Sequence, residues 1–97
     1  MKYAFHPEAK AEFLAAIDFY EDREPGLGYD FAIEVHSTIE NVTNFPNAWP
    51  ILEDDIRRCQ VRRFPYGIIY SQAENVILIL AVMHLHRDPV YWKGRLA

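Results

Sequence analysis

With 97 residues, 51% of them hydrophobic and 25% charged, the chain is expected to fold as one domain, residues 1–97, around a single modest core, and its composition excludes intrinsic disorder. One cysteine excludes a disulfide framework, and neither a signal-peptide pattern nor an apolar run of about 18 residues is present, so a cytoplasmic protein with no membrane attachment is expected. The net charge of -4 is small but conceals two halves of opposite sign.

KYAF, residues 2–5, is a short strand candidate. Pro7 suits the first position of a helix, where a missing N–H costs nothing, and Ala9, Phe13, Ile17 and Tyr20 recur at helical spacing as far as Arg23. EPGLG breaks that helix. Leu27, Phe31, Val35, Ile39 and Val42 then mark a second one running to about Phe45, and so short a connection makes the two an antiparallel hairpin.

After the FPNAWP loop the period changes. In IRRCQVRRF, Cys59 and Val61 fall on one face while Arg58, Gln60 and Arg62 fall on the other, the pattern of a strand with one wet side. YGIIYS and NVILILAVMH, separated by QAE, read as a hairpin. Its second strand is apolar enough to be central and covered on both sides. DPVYWKGRL is a short terminal helix or an ordered arm, opened by Pro89 and stopped by Gly94. The order β-α-α-β-β-β gives an α+β fold class.

Residues 1–50 carry three cations against nine carboxylates, and residues 56–97 carry seven cations against two. This polarity suits a cationic working face on the second half, meeting an anionic or acidic partner. Alternatively, the two halves pair with each other.

The chemistry on offer depends on which faces coincide. Should Arg58 and Arg62 share a face with His84 and His86, guanidinium forks would lie beside imidazoles that titrate near neutral pH. That set suits metal-independent RNA cleavage. A base takes the proton of a ribose 2'-OH, which attacks the neighbouring phosphate, and an acid protonates the departing 5' oxygen. His84 or His86 would serve as acid or base, with Arg58, Arg62 and Arg87 as the electrostatic clamp. The structural alternatives are equally concrete. Arginines on a wet strand face protect an edge, and His86, Arg87, Asp88 and Pro89 form a turn in which Asp88 pairs with Arg87. His84, His86 and Asp88 have the spacing of three metal ligands, although a proline turn disturbs the third. Tyr91 and Trp92 anchor the tail rather than stack on a base, and Cys59 is a small core residue.

Three features together, the two-helix start, RRFPYGIIY at residues 62–70 and AVMHLHRDPVYWKGRL at residues 81–96, resemble the RelE/ParE superfamily of bacterial type II toxin-antitoxin (plasmid stabilisation) systems. The resemblance covers nearly the whole chain. It implies a small curved antiparallel sheet covered by the helical hairpin, growth inhibition, no cofactor and no metal, and a cognate antitoxin that wraps the toxin and masks its working face. RelE-like members cut mRNA on the ribosome with basic residues on the sheet and, in some, histidine and a C-terminal tyrosine or phenylalanine. On this chain the matching positions are Arg58 and Arg62, then His84, Arg87 and Tyr91, with His86 beside them. ParE-like members lack that set and inhibit DNA gyrase. The nucleases tend to carry an arginine after the tyrosine of the third strand, where this chain has Gly67 after Tyr66. The sequence pI of about 5.5 also departs from the strongly basic character of ribosome-binding members. Inhibition of DNA gyrase is therefore the favoured expectation. Ribosome-dependent mRNA cleavage is the alternative, and a non-toxic relic that only binds its antitoxin is a third.

Overall fold

The computed structural model describes residues 1–96. Strand β1 (Lys2–Phe5) leads directly into helix α1 (Pro7–Arg23), and α2 (Leu27–Asn44) folds back on it. Four strands follow: β2 (Ile51–Glu53), β3 (Ile56–Gln60), β4 (Tyr66–Ala73) and β5 (Val76–His84), with a 3-10 turn at Lys93–Leu96 closing the arm. The sheet order is β1-β5-β4-β3-β2. Strands β2 to β5 form an antiparallel meander, whereas β1 lies parallel to β5, with Lys2 opposite Val76 and Phe5 opposite Ile79. The sequence pattern passes over β2, because three exposed residues show no alternation. Neither helix among the described residues is long and apolar enough to cross a membrane.

The hairpin is set by short-range bonds. His6 starts α1, its Nδ1 accepting the Glu8 N–H at 3.1 Å, with Pro7 in the first helical position. Gly26 precedes α2 at φ 90°, a conformation that favours glycine. Glu21 of α1 reaches across to accept the N–H groups of Gly26 and Gly28 at 2.9 and 3.1 Å, capping the start of α2 from its neighbour. At Gly28 a Cβ would stand 2.6 Å from the Ile17 carbonyl oxygen, so a glycine there lets the helices meet closely.

One face of the sheet carries the main core, in which Phe13, Phe31, Val35 and Ile39 of the helices pack on Cys59, Val61, Ile68, Ile77, Ile79 and Val82. On the other face Ile56, Ile69, Leu80, Ala81 and Met83 are covered by Trp92 of the arm. Strand β5 is thus central and covered on both sides, as its composition predicts. A bulge makes this second layer. Ile69 pairs with Ala81 and Tyr70 with Ile79, so Leu80 is an extra residue, and it joins Ala81 beneath Trp92. The loop at residues 45–50 is held by Tyr70, whose hydroxyl donates to the Pro46 carbonyl at 2.7 Å, and by Arg57, which donates to the Trp49 carbonyl at 2.6 Å.

Candidate functional site

Strand β1 stops at Phe5, opposite Ile79, and its last contribution is the His6 N–H donated to the Ile79 carbonyl at 2.9 Å. Strand β5 runs on to His84. Beyond Ile79 its edge is therefore open, and buried backbone groups need partners. Two side chains supply them. Glu12 of α1 accepts the Val82 N–H at 3.1 Å, and Arg95 of the arm donates to the Leu80 carbonyl at 2.9 Å. The two also hold each other, since both terminal nitrogens of Arg95 donate to the Glu12 carboxylate at 2.9 Å.

Other groups converge on the same carboxylate. The Tyr91 hydroxyl donates to Glu12 Oε2 at 2.7 Å, and Arg87 Nη1 reaches that oxygen at 3.4 Å while its guanidinium lies 3.8 Å from the Tyr91 ring centroid. Burial alone raises the pKa of Glu12, but the bonds from Arg95, Tyr91 and Val82 outweigh it and hold the carboxyl below its ordinary value of 4.5. Burial, followed by the bond to Glu12, pushes the Tyr91 phenol well up. Trp92 is 1% exposed and donates its Nε1–H to the Pro89 carbonyl at 2.7 Å. Tyr91 and Trp92 therefore anchor the arm.

The residues that the sequence groups as a nuclease set fall on different sides of the sheet. In β4, Tyr66 lies opposite His84 and belongs to the helix side. The His84 ring accordingly sits edge-on to Tyr66, with centroids 5.2 Å apart, in a cleft of about 260 Å3 shared with Ala15 and Phe19 of α1 and with Arg87. His84 Nδ1 accepts the His86 N–H at 3.1 Å, which leaves the proton of the neutral ring on Nε2. The exposed His86 ring is 5.3 Å from that of His84. Arg58, by contrast, pairs with Ile69, whose other neighbour is Ala81, and these face Trp92. Arg58 lines a pocket with Met83 and Trp92 on the far side. Arg62 lies beyond the end of β3, beside Gln60 and Leu85. The structure thus brings His84, Arg87 and Tyr91 together around Glu12, with His86 against His84, and leaves Arg58 across the sheet from them. The condition that the arginine and histidine faces coincide is not met, because register places His84 with the inward residue Val82 and Arg58 opposite to the inward residue Cys59.

The cationic half is also largely engaged. Arg63 meets Asp30 and Glu34 at 3.8 and 3.6 Å, Lys93 meets Glu53 at 2.9 Å, and Arg95 meets Glu8 at 3.4 Å besides Glu12. Arg63, Arg87 and Arg95 thus pair with carboxylates of the first 50 residues and Lys93 with Glu53, so four of the seven cations are engaged. Among the described residues, Arg58 and Arg62 are in no ion pair. Asp88 does not pair with Arg87. Its carboxylate accepts the Val90 N–H at 3.1 Å, which turns it into the local turn rather than toward the histidines. Among the described residues no three His, Cys, Asp or Glu side chains converge as a metal-ligand set. Burial pushes the Cys59 thiol up to about 11, and the residue sits in the core.

Sequence reasoning misses Glu12 and Arg95. The available signal is that Glu12 stands between Ala9 and Ala16, at helical spacing from two buried positions, so it is a carboxylate on the apolar side of α1.

A chain of the chromosomal ParDE TA system from P. aeruginosa has a similar fold, with a TM-score of 0.77 at 17% identity, over 89% of this chain and 97% of that one. No curated protein sequence matches. The sequence profile described as ParE toxin of type II toxin-antitoxin system, parDE, matches residues 3–89. That span runs from β1 through both helices and all later strands into the turn beyond His86, and the chain therefore belongs to the ParE toxin family of type II toxin-antitoxin systems.

Proposed function

We propose that the protein arrests growth by inhibiting DNA gyrase in the cytoplasm and that a cognate antitoxin neutralises it. The observation that carries this reading is the placement of His84 and Arg58 on opposite faces of the sheet. A metal-independent ribonuclease needs its acid, base and cationic clamp around one phosphate. Here the histidines stand on the helix side, and the Tyr91 phenol and both terminal nitrogens of Arg95 are committed to Glu12. Inhibition of a large enzyme asks only for a surface that fits it, and membership of the ParE family supports that target.

Purified protein is added to gyrase acting on relaxed plasmid and, separately, to ribosomes translating a labelled mRNA. The expected result is loss of supercoiling with the mRNA intact, reversed by the product of the neighbouring reading frame. Cleavage of the mRNA with supercoiling intact would replace this reading by the ribonuclease, and no effect on either, with growth unaffected on induction, would leave a non-toxic antitoxin-binding relic.

A further inference from the structure

The face of the sheet turned away from the helices carries a pocket bordered by Arg58, and Arg58 and nearby Arg62 form no ion pair among the described residues. The pocket, about 160 Å3, is walled by Leu52 of β2, Met83 of β5, and Val90 and Trp92 of the arm, and its lining also holds Glu53 and Lys93, which pair with each other at 2.9 Å. Leu52 and Val90 of this lining are 40% and 45% exposed, so apolar surface lies open at the pocket. Arg58 stands at the edge of this pocket. Its methylene stem lies against Gly67, where a Cβ would come within 3.2 Å of both Cγ and Cδ. The absent side chain at position 67 therefore gives the arginine its seat. Leu85 packs against the same glycine, and Arg62 borders Leu85 in turn, so the surface runs unbroken from the pocket to the second cation.

We infer that this face docks an acidic segment of the cognate antitoxin, which inserts one apolar side chain among Leu52, Met83, Val90 and Trp92 and sets a carboxylate on Arg58. The inference rests on the toxin-antitoxin reading above. Size favours a single side chain, since the pocket is well below the roughly 300 Å3 at which small-molecule sites begin. Charge favours an acidic partner, because Glu53, the carboxylate in the pocket lining, is already paired with Lys93. The chain is net -4, and the helical half carries nine carboxylates in its first 50 residues, so an acidic segment is repelled there and meets at Arg58 and Arg62 cations that form no ion pair among the described residues. The arm supplies one wall of the pocket and is held by Glu12 through Tyr91 and Arg95. Glu12 thereby positions the site without touching its occupant.

The test titrates the fluorescently labelled product of the neighbouring reading frame against the wild type and the Arg58→Glu, Val90→Asp and Lys10→Glu variants, each checked for its melting transition. Arg58 and Val90 are exposed, so both variants are expected to fold. Arg58→Glu and Val90→Asp should each weaken binding by about 10-fold to 100-fold, whereas Lys10→Glu, on the helical side, should leave it unchanged. Added salt should narrow the gap between wild type and Arg58→Glu. Should Arg58→Glu melt early, Arg58→Gln takes its place under the same criterion. An affinity within about twofold of wild type for the Arg58 variant overturns the site. Loss of gyrase inhibition with antitoxin affinity retained also overturns it, by giving the face to the target instead. A wild type that neither binds the labelled protein nor arrests growth overturns the toxin-antitoxin reading itself, so the two failures are distinguishable.

Discussion

Glu12 of the first helix and Arg95 of the C-terminal arm meet through two bonds of 2.9 Å each, and together they complete the edge of β5 that β1 leaves unpaired. A fourth residue of β1 ends the ladder at Ile79, so the fold needs a substitute strand, and an ion pair between the two ends of the chain is that substitute. The arm is consequently part of the structure rather than a tail. Its removal would leave the Leu80 carbonyl and the Glu12 carboxylate without Arg95 and uncover the layer beneath Trp92 at once.

Replacing Glu12 by alanine should therefore be costly. The Arg95 side chain is 8% exposed, and removing one partner of a buried pair leaves an uncompensated charge, an effect of about 3–5 kcal/mol. Urea unfolding should show a loss near the lower end of that range, and Trp92 fluorescence should shift to the red as the arm loosens. Lys93→Ala is the contrast. Its partner Glu53 and Lys93 itself are each nearly half exposed, so the loss should stay below about 1 kcal/mol.

The same carboxylate makes stability depend on pH in a definite direction. Glu12 is held below its ordinary value of 4.5 by the bonds from Arg95, Tyr91 and Val82, which overcome the opposing effect of burial. A carboxyl depressed in the folded state contributes stability that is present above its unfolded value and is lost as pH falls through its folded one. Chemical denaturation of the wild type should thus show a component that is flat above 4.5 and declines below it. In Glu12→Gln that component should be missing, while the decline due to other carboxyls remains.

Much of this architecture is legible in the sequence, and the reasons are local. Pro7 and EPGLG punctuate the hairpin, and the alternation around Cys59 and Val61 gives the inward face of β3. The apolar run of β5 announces a strand covered on both sides. What is not legible depends on contacts distant in sequence. The parallel pairing of β1 with β5 joins Lys2 to Val76, and nothing in KYAF encodes it. The Glu12–Arg95 pair spans 83 residues. The face of the histidines is left open by the sequence for a related reason, since a bulge at Leu80 shifts the alternation of β5 before His84 is reached. Period alone cannot then say which side of the sheet His84 shares with Arg58.

Strand β3 allows a sharp test of its register. Val61 is 2% exposed and its N–H donates to the Tyr66 carbonyl at 2.8 Å, whereas Arg62, the next residue, is exposed and forms no ion pair among the described residues. Val61→Asp buries a charge without a partner and should abolish cooperative unfolding near room temperature. Arg62→Ala should change stability by less than about 0.5 kcal/mol, as surface substitutions do. Thermal melts of the two variants decide the matter, and equal destabilisation would mean that the strand is shifted by one residue.

The last prediction concerns the two histidines, whose required duties differ between the competing mechanisms. A proton-transferring histidine in a ribonuclease contributes about 100-fold to 10,000-fold, so its loss should nearly silence the protein. In this fold His84 Nδ1 is occupied by the His86 N–H, and the ring leans edge-on against Tyr66, beside the apolar wall of Ala15 and Phe19. Arg58 stands on the other face. The double variant His84→Ala, His86→Ala should therefore lose about 1 kcal/mol of stability with the Tyr66 contact, an ordinary value for an aromatic pair. Its inhibition of gyrase supercoiling should fall by less than about tenfold, the range expected of a residue outside an interface hot spot. Both proteins are induced in parallel, and plasmid topology and mRNA integrity are followed in the same cultures. Rapid mRNA fragmentation by the wild type that disappears in a folded double variant would establish the histidines as proton-transfer groups and move the target from gyrase to the message.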